Sequence, residues 1–260
     1  MARWLVGLIF IAGFIIGVPG KSAVAWGANS CVECHKEAAA GNGLQIWYQN
    51  QFIHWYGSVH GRKGVACEKC HGGDPAGTDK KQAHRGVKSS KDPQSPIYYK
   101  NLPETCGSCH KGVYQQFVQS RHYKNLKAER LAPTCTTCHG FEMDIGAVRP
   151  LQLVGRCTIC HNPQRGVKPE VADLARQSLE DVTQVEQGIQ KAQTVIDLAR
   201  EGGLEPKNAE EQLRIARSRL EKTPELWHTF QLDAFKKELM EIRELAGKAY
   251  ANAKHVTLGK

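Results

Sequence analysis

The chain has 260 residues, with 35 Lys and Arg against 26 Asp and Glu, a formal charge of +9, and ten cysteines. That length is enough for one or two domains. A basic balance of this size ordinarily points to nucleic acid or an acidic membrane, a reading that the cysteine pattern further along the chain removes.

The first residues read as an export signal. Arg3 gives a positive start, residues 4–18 form an apolar run of 15 residues, Pro19-Gly20 breaks it, and Ala23-Val24-Ala25 has the form of a cleavage site. A membrane-spanning helix needs about 20 apolar residues, so the run is short for a permanent anchor. The expected organisation is a signal peptide over 1–25, a cysteine-rich domain over 26–165 and a helical region over 166–260. An uncleaved membrane anchor is the alternative for the first segment.

All ten cysteines fall in five copies of Cys-x-x-Cys-His: Cys31, Cys34 and His35; Cys67, Cys70 and His71; Cys106, Cys109 and His110; Cys135, Cys138 and His139; Cys157, Cys160 and His161. This is the attachment pattern of c-type haem. Two thiols add across the haem vinyl groups, and one turn of helix brings the following His beneath the iron. Zinc knuckles are the competing reading, but zinc asks for four protein ligands per site, typically from paired Cys-x-x-Cys units. Five repeats that all end in His fit zinc poorly. The expected cofactor is five covalently bound haem c, with iron held by His35, His71, His110, His139 and His161. Losing Arg3 and Lys21 with the signal leaves +7, and ten haem propionates would bring the loaded protein to about −3. The cationic excess is then expected to pair with propionates rather than with nucleic acid.

The motifs occupy residues 31–161, about 26 residues for each haem, and their starts are spaced by 36, 39, 29 and 22 residues. The irregular spacing excludes a uniform solenoid. A chain so loaded has no room for a side-chain core. The porphyrins are expected to be the core, close enough together for electrons to tunnel along the array.

Residues 168–258 hold no cysteine. Ala175, Ser178, Val182, Val185, Ile189, Ala192, Ile196 and Ala199 recur at spacings of three and four, a heptad seam on a long helix. Gly202-Gly203 ends it. A second helix from Pro206 carries Ala209, Leu213, Ala216 and Leu220. A third from Pro224 carries Leu232, Phe235, Leu239, Ile242, Ala246, Ala249 and Ala253. The expected fold is mainly α: a haem-cored domain with little regular structure, then a long-helix antiparallel hairpin or three-helix bundle. Its surplus length is available for a homo- or hetero-oligomer.

Six further histidines are candidates for the second axial position: His54, His60, His84, His122, His228 and His255. His60 and His122 share a local pattern, Trp55-x-x-Ser58-x-His60 and Phe117-x-x-Ser120-x-His122. His228 lies four residues before Leu232, so a continuous third helix would put it on the apolar seam. His84 follows the second motif in a polar loop, His54 precedes His60 by six residues, and His255 sits near the C-terminus. Met143 is a further candidate, though Met is mainly a packing residue.

The string Cys106-Gly-Ser-Cys-His-Lys-Gly-Val-Tyr-Gln-Gln-Phe-Val-Gln-Ser-Arg-His122 resembles the multihaem cytochromes around hydroxylamine oxidoreductase, a group that includes its tetrahaem electron-accepting cytochrome and the pentahaem ammonia-forming nitrite reductase. The resemblance covers residues 31–161 and implies that His60 and His122 ligate a haem other than the one whose motif they follow. It departs at the catalytic motif, where the nitrite reductase usually carries Lys and this chain has His throughout, and in length. The function expected is that of an exported electron relay in the periplasm or at the cell surface of a prokaryote. Its redox partners would be a quinol-oxidising complex, other cytochromes or a terminal reductase. The alternative is a small multihaem reductase or oxidase of nitrogen or sulfur oxyanions with one open-site haem.

Overall fold

The computed structural model describes residues 29–40, 51–140, 150–165 and 167–259. The export signal and Met143 lie outside the described residues. Among these residues the chain is helical, with no strand: α1 (Ser30–Ala40), α2 (Gln51–Gly57), α3 (Val59–Arg62), α4 (Glu68–His71), α5 (Lys80–Ala83), α6 (Leu102–Gly107), α7 (Lys111–Phe117), α8 (Arg121–Lys127), α9 (Cys135–His139), α10 (Pro150–Cys157), α11 (Glu170–Glu201), α12 (Lys207–Leu220), α13 (Thr223–Trp227) and α14 (Leu232–Leu258). The mainly α class expected from the sequence is the class observed.

Two regions obey different packing rules. Up to residue 165, only Val32, Trp55, Ala66, Phe117 and Leu126 are buried hydrophobics among the described residues. A folded region of that size normally closes over a far larger apolar core, since apolar burial is the dominant favourable term in folding. Its helices are short and separated by turns, as expected where something other than side chains fills the interior.

The remainder is a three-helix bundle. Val185, Ile189, Ala192 and Ile196 of α11, Ala209, Leu213 and Ala216 of α12, and Phe235, Leu239, Ile242, Ala246, Ala249 and Ala253 of α14 form one buried cluster. These are the heptad positions, and alanine at so many of them lets the helices approach closely. Arg200 pairs with Glu210, Gln212 accepts from Asn252, and Arg219 pairs with Glu238 and Glu241, so α12 runs antiparallel to both neighbours. The long helices α11 and α14 therefore run parallel: Ala175 and Leu232 line one cavity, and Gly188 abuts Ala246. At 1.5 Å per residue, the 32 residues of α11 extend about 48 Å.

The third helix corrects an expectation. It is not continuous from Pro224. The helix started by Pro224 stops at Trp227, and the chain turns through residues 228–231 before α14 begins. The Thr229 hydroxyl donates to the Leu226 carbonyl at 2.9 Å and accepts from the Gln231 amide at 3.1 Å. Such side-chain bonds offer the backbone an alternative to the helix ladder. Phe230 takes a left-handed φ of +53° in this turn. His228 is therefore the C-cap of α13 and not a seam residue of α14. Helix α13 packs on α7 so closely that a Cβ on Gly112 would lie 2.2 Å from the Glu225 carboxylate. The bundle is thus seated on the cysteine-rich region.

Candidate haem-binding sites

Each motif is a turn of helix. The amides of His71, His110 and His161 donate to the carbonyls of Cys67, Cys106 and Cys157, each at 2.9 Å, the four-residue step of an α-helix. The first motif lies within α1, and the fourth is α9 itself. Both thiols and the imidazole of a motif are thereby fixed by local hydrogen bonds.

Motifs adjacent in sequence are neighbours in space. Burial first, and then the nearby Cys31, pushes the Cys67 thiol up to about 11. Burial and the charges of Cys106 and Cys109 push Cys70 up. The Cys106 thiol is in hydrogen-bond contact with Cys135, which holds Cys135 down and raises Cys106. Burial, followed by Cys157, pushes Cys138 up to about 11. The five motifs form a row in chain order.

Across four of them stands a second imidazole. Ring centres are 6.2 Å apart for His35 and His84, 5.9 Å for His110 and His60, 6.1 Å for His161 and His122, and 6.1 Å for His139 and His228. With about 2 Å from each nitrogen to a metal and about 1.1 Å from nitrogen to ring centre, two imidazoles sharing one iron stand about 6.2 Å apart. The first three pairs are twisted by 51°, 63° and 64°, whereas His139 and His228 are within 5° of parallel.

Each opposing ring is placed by a local device. In the shared pattern the aromatic residue, Trp55 or Phe117, is buried and anchors the turn. Ser58 and Ser120 are helix N-caps whose hydroxyls accept from the amides of Gly61 and Tyr123, each at 3.0 Å, the preferred cap chemistry. The His two positions later then stands in the first turn of α3 or α8. His84 and His228 instead follow short helices. Their Nδ1 atoms bond the carbonyls of Lys80 and Pro224, four residues back, at 2.8 and 2.6 Å. With Nδ1 donating to a carbonyl, Nε2 is left bare, the arrangement typical of a metal-binding imidazole. Burial lowers the pKa of His60, His122 and His228, with that of His122 pushed down to about 4. A neutral imidazole is the iron-binding form.

The residues fit haem better than bare metal. Among the described residues, no three His, Cys, Asp or Glu side chains gather as a metal site. Two imidazoles beside a pair of thiols suit a metal that brings its own equatorial ligands. His122 and His161 each bury an Nδ1 with no hydrogen-bond partner in the polypeptide, a cost normally avoided. Both line a cavity of about 490 Å³ with Cys157 and Cys160, and Arg121, Lys124, Arg156 and Lys168 border it as cations for carboxylates. Phe230, which no sequence pattern singled out, meets the His122 ring edge-on at 4.4 Å and reaches toward His228 at 6.4 Å. Its proximity to His228 in the sequence was the only available signal. His54, half-buried on α2, and His255, exposed on α14, join no such pair.

Among curated proteins, the chain is 32% identical over 135 residues to the C-type polyheme cytochrome OmcB of Geobacter sulfurreducens, covering 48% of this chain and 15% of that protein. It is 29% identical over 134 residues to the C-type polyheme cytochrome OmcC of the same organism, covering 48% and 16%. The similarity is to multihaem c-type cytochromes. Together with the repeated motifs it implies covalently bound haem c. The chain spans only a small part of the length of these relatives, and the similarity supports a multihaem c-type cytochrome without supporting the resemblance to the hydroxylamine oxidoreductase group. No family model and no solved structure matches the chain.

Proposed function

We propose that this protein is an exported electron relay carrying five haems c, attached through Cys31 and Cys34, Cys67 and Cys70, Cys106 and Cys109, Cys135 and Cys138, and Cys157 and Cys160. In this proposal His35 and His84, His110 and His60, His161 and His122, and His139 and His228 hold four of the irons. The observation that supports it best is the recurrence of one ring separation, 5.9 to 6.2 Å, at four separate motifs. When bound, haem c supplies a one-electron iron couple whose potential is set by axial ligands, burial and nearby charge. The chain's own part is to fix both axial imidazoles in a chosen tautomer, to balance the propionates with cations such as Arg121 and Lys168, and to keep the sites adjacent.

Covalent haem attachment takes place outside the cytoplasmic membrane in bacteria, which favours the periplasm or cell surface. A quinol-oxidising complex, another cytochrome or a terminal reductase would supply or take the electrons. The shared aromatic-x-x-Ser-x-His element keeps kinship with hydroxylamine oxidoreductase-type cytochromes as a proposal about ligand use. The test is a reductive titration of the purified holoprotein with electron spin resonance at each step. Five one-electron uptakes, four of them from low-spin bis-imidazole iron, are expected. Fewer than four such signals would overturn the pairing.

A further inference from the structure

The ring pair at the fifth motif differs from the others in what surrounds its nitrogens. His84 and His228 each donate from Nδ1 to a backbone carbonyl, at 2.8 and 2.6 Å. A hydrogen bond of this kind makes an imidazole a stronger electron donor toward its metal. His122 and His161 have no such partner. The Nδ1 of each is buried, and nothing among the described residues bonds it; no other histidine there buries a nitrogen in that state. Leaving a buried donor unpaired costs about 1–3 kcal/mol, and each such exception in a native fold calls for an explanation. Here it occurs twice, on the two rings that face each other at 6.1 Å.

Two further observations act in the same direction. Arg121, Lys124, Lys168 and the half-buried Arg156 border the cavity beside this pair, and no carboxylate of the chain lines it. Two propionates would therefore leave an excess of positive charge there. Trp227, Phe230 and Leu232 close over the same cavity from the side of the bundle, with the Phe230 ring 4.4 Å from that of His122. The opposite end of the row is open. Cys34, His35 and His84 are exposed, and the cations flanking His84 in the sequence, Lys80, Lys81 and Arg85, stand in water, which weakens their pull.

We infer that His122 and His161, through their unpaired Nδ1 hydrogens, make the fifth motif the site of highest potential, so that electrons run along the row from the first motif and collect beside the bundle. The inference rests on the ring pairs proposed above and gives the relay a direction. Weaker axial donors, positive charge and burial all favour the reduced iron. In the last step one electron leaves the iron held by His139 and His228, which becomes ferric, and reduces the iron held by His122 and His161 to ferrous. Both Nδ1 hydrogens stay in place, so the chain moves no proton.

The test is a stepwise reductive titration of the holoprotein followed by electron spin resonance, with His122→Ala marking the signal of the fifth site. The low-spin component missing from His122→Ala should be the first to disappear when the unaltered protein is reduced, ahead of the rhombic component expected of the near-parallel pair His139 and His228. Phe230→Ala opens the cavity toward the His122 ring and lets water reach its Nδ1. The irons of that variant should keep their spin states while the marked component falls back in the order of reduction. Reduction of the marked component after the rhombic one would overturn the inference and leave the pairing standing, and so would an unchanged order in Phe230→Ala. If His122→Ala assembles but loses no low-spin component, the pairing itself fails and the inference with it. If His122→Ala does not assemble, Phe230→Ala decides alone: the first component reduced must be the one it delays.

Discussion

Replacing His228 with alanine tests the link between the two regions most directly. His228 faces His139 at 6.1 Å from a turn 89 residues further along the chain. Loop-closure cost grows as about (3/2)RT ln n, so closing this loop costs only about 0.7 kcal/mol more than closing the 39-residue loop from His122 to His161. The distant ligand is therefore nearly as accessible as the near one. Losing it should convert one of the four bis-imidazole irons from low-spin to high-spin, visible as a loss of about a quarter of the bis-imidazole low-spin absorption and gain of one carbon monoxide site. The identity of the lost signal is also fixed. His139 and His228 are within 5° of parallel, while the other pairs are twisted by 51° or more. Near-parallel imidazoles give a rhombic low-spin resonance, so that component should vanish and the more axial ones persist. The bundle should stay docked, because α13 is also seated on Gly112 and Phe230 lies against His122. His228→Met should restore a low-spin iron at a higher potential, since methionine ligation raises it. An unchanged spectrum in His228→Ala, or loss of an axial component instead, would refute the pairing of these two residues.

Other outcomes follow from the same geometry. Denaturing mass spectrometry of the mature protein should show the mass of five haems, with no free thiol to alkylate. Ser58→Ala and Ser120→Ala each remove an N-cap bond and should cost about 1 kcal/mol in denaturant unfolding, with His60 or His122 becoming easier to displace by imidazole-competing ligands such as cyanide. Replacing Arg121 and Lys168 together with glutamine removes two positive charges from the rim of the cavity and should lower the potential of one haem, because cations favour the reduced, less positive iron; an unmoved potential would show that they do not border it. Phe230→Ala removes the ring that meets His122 edge-on at 4.4 Å and should broaden that haem's resonance, whereas the left-handed φ of this position would be relieved only by glycine.

What the sequence made legible was whatever is encoded locally. The five motifs, the heptad seams of α11, α12 and α14, and the Ser-x-His element are short-range patterns whose cause lies in one or two turns of helix. The seam residues named from spacing are very nearly those buried in the bundle. His228 shows the limit. It was singled out from a helical register that does not exist there, since Thr229 and Phe230 break the helix first. The turn, not the seam, brings it to His139. Which imidazole faces which is a long-range property with no periodic signature. The same holds for Phe230, whose position depends on a turn and on α7 packing against α13.

The order of the ring pairs along the chain has one more consequence. His35–His84 and His60–His110 interleave, and so do His122–His161 and His139–His228. No facing imidazole pair among the described residues spans α7 (Lys111–Phe117), although Phe117 of α7 meets Phe230 of the turn before α14. The molecule thus resolves into two knots tied in tandem, the first with three attachment motifs and the second with two plus the bundle. Each knot contains every imidazole that its own pairs require. A nick within α7 would separate no facing imidazole from its opposite number, and the contact between Cys106 and Cys135 and the Glu104 bonds to Tyr123 and Lys127 would still hold the two halves together.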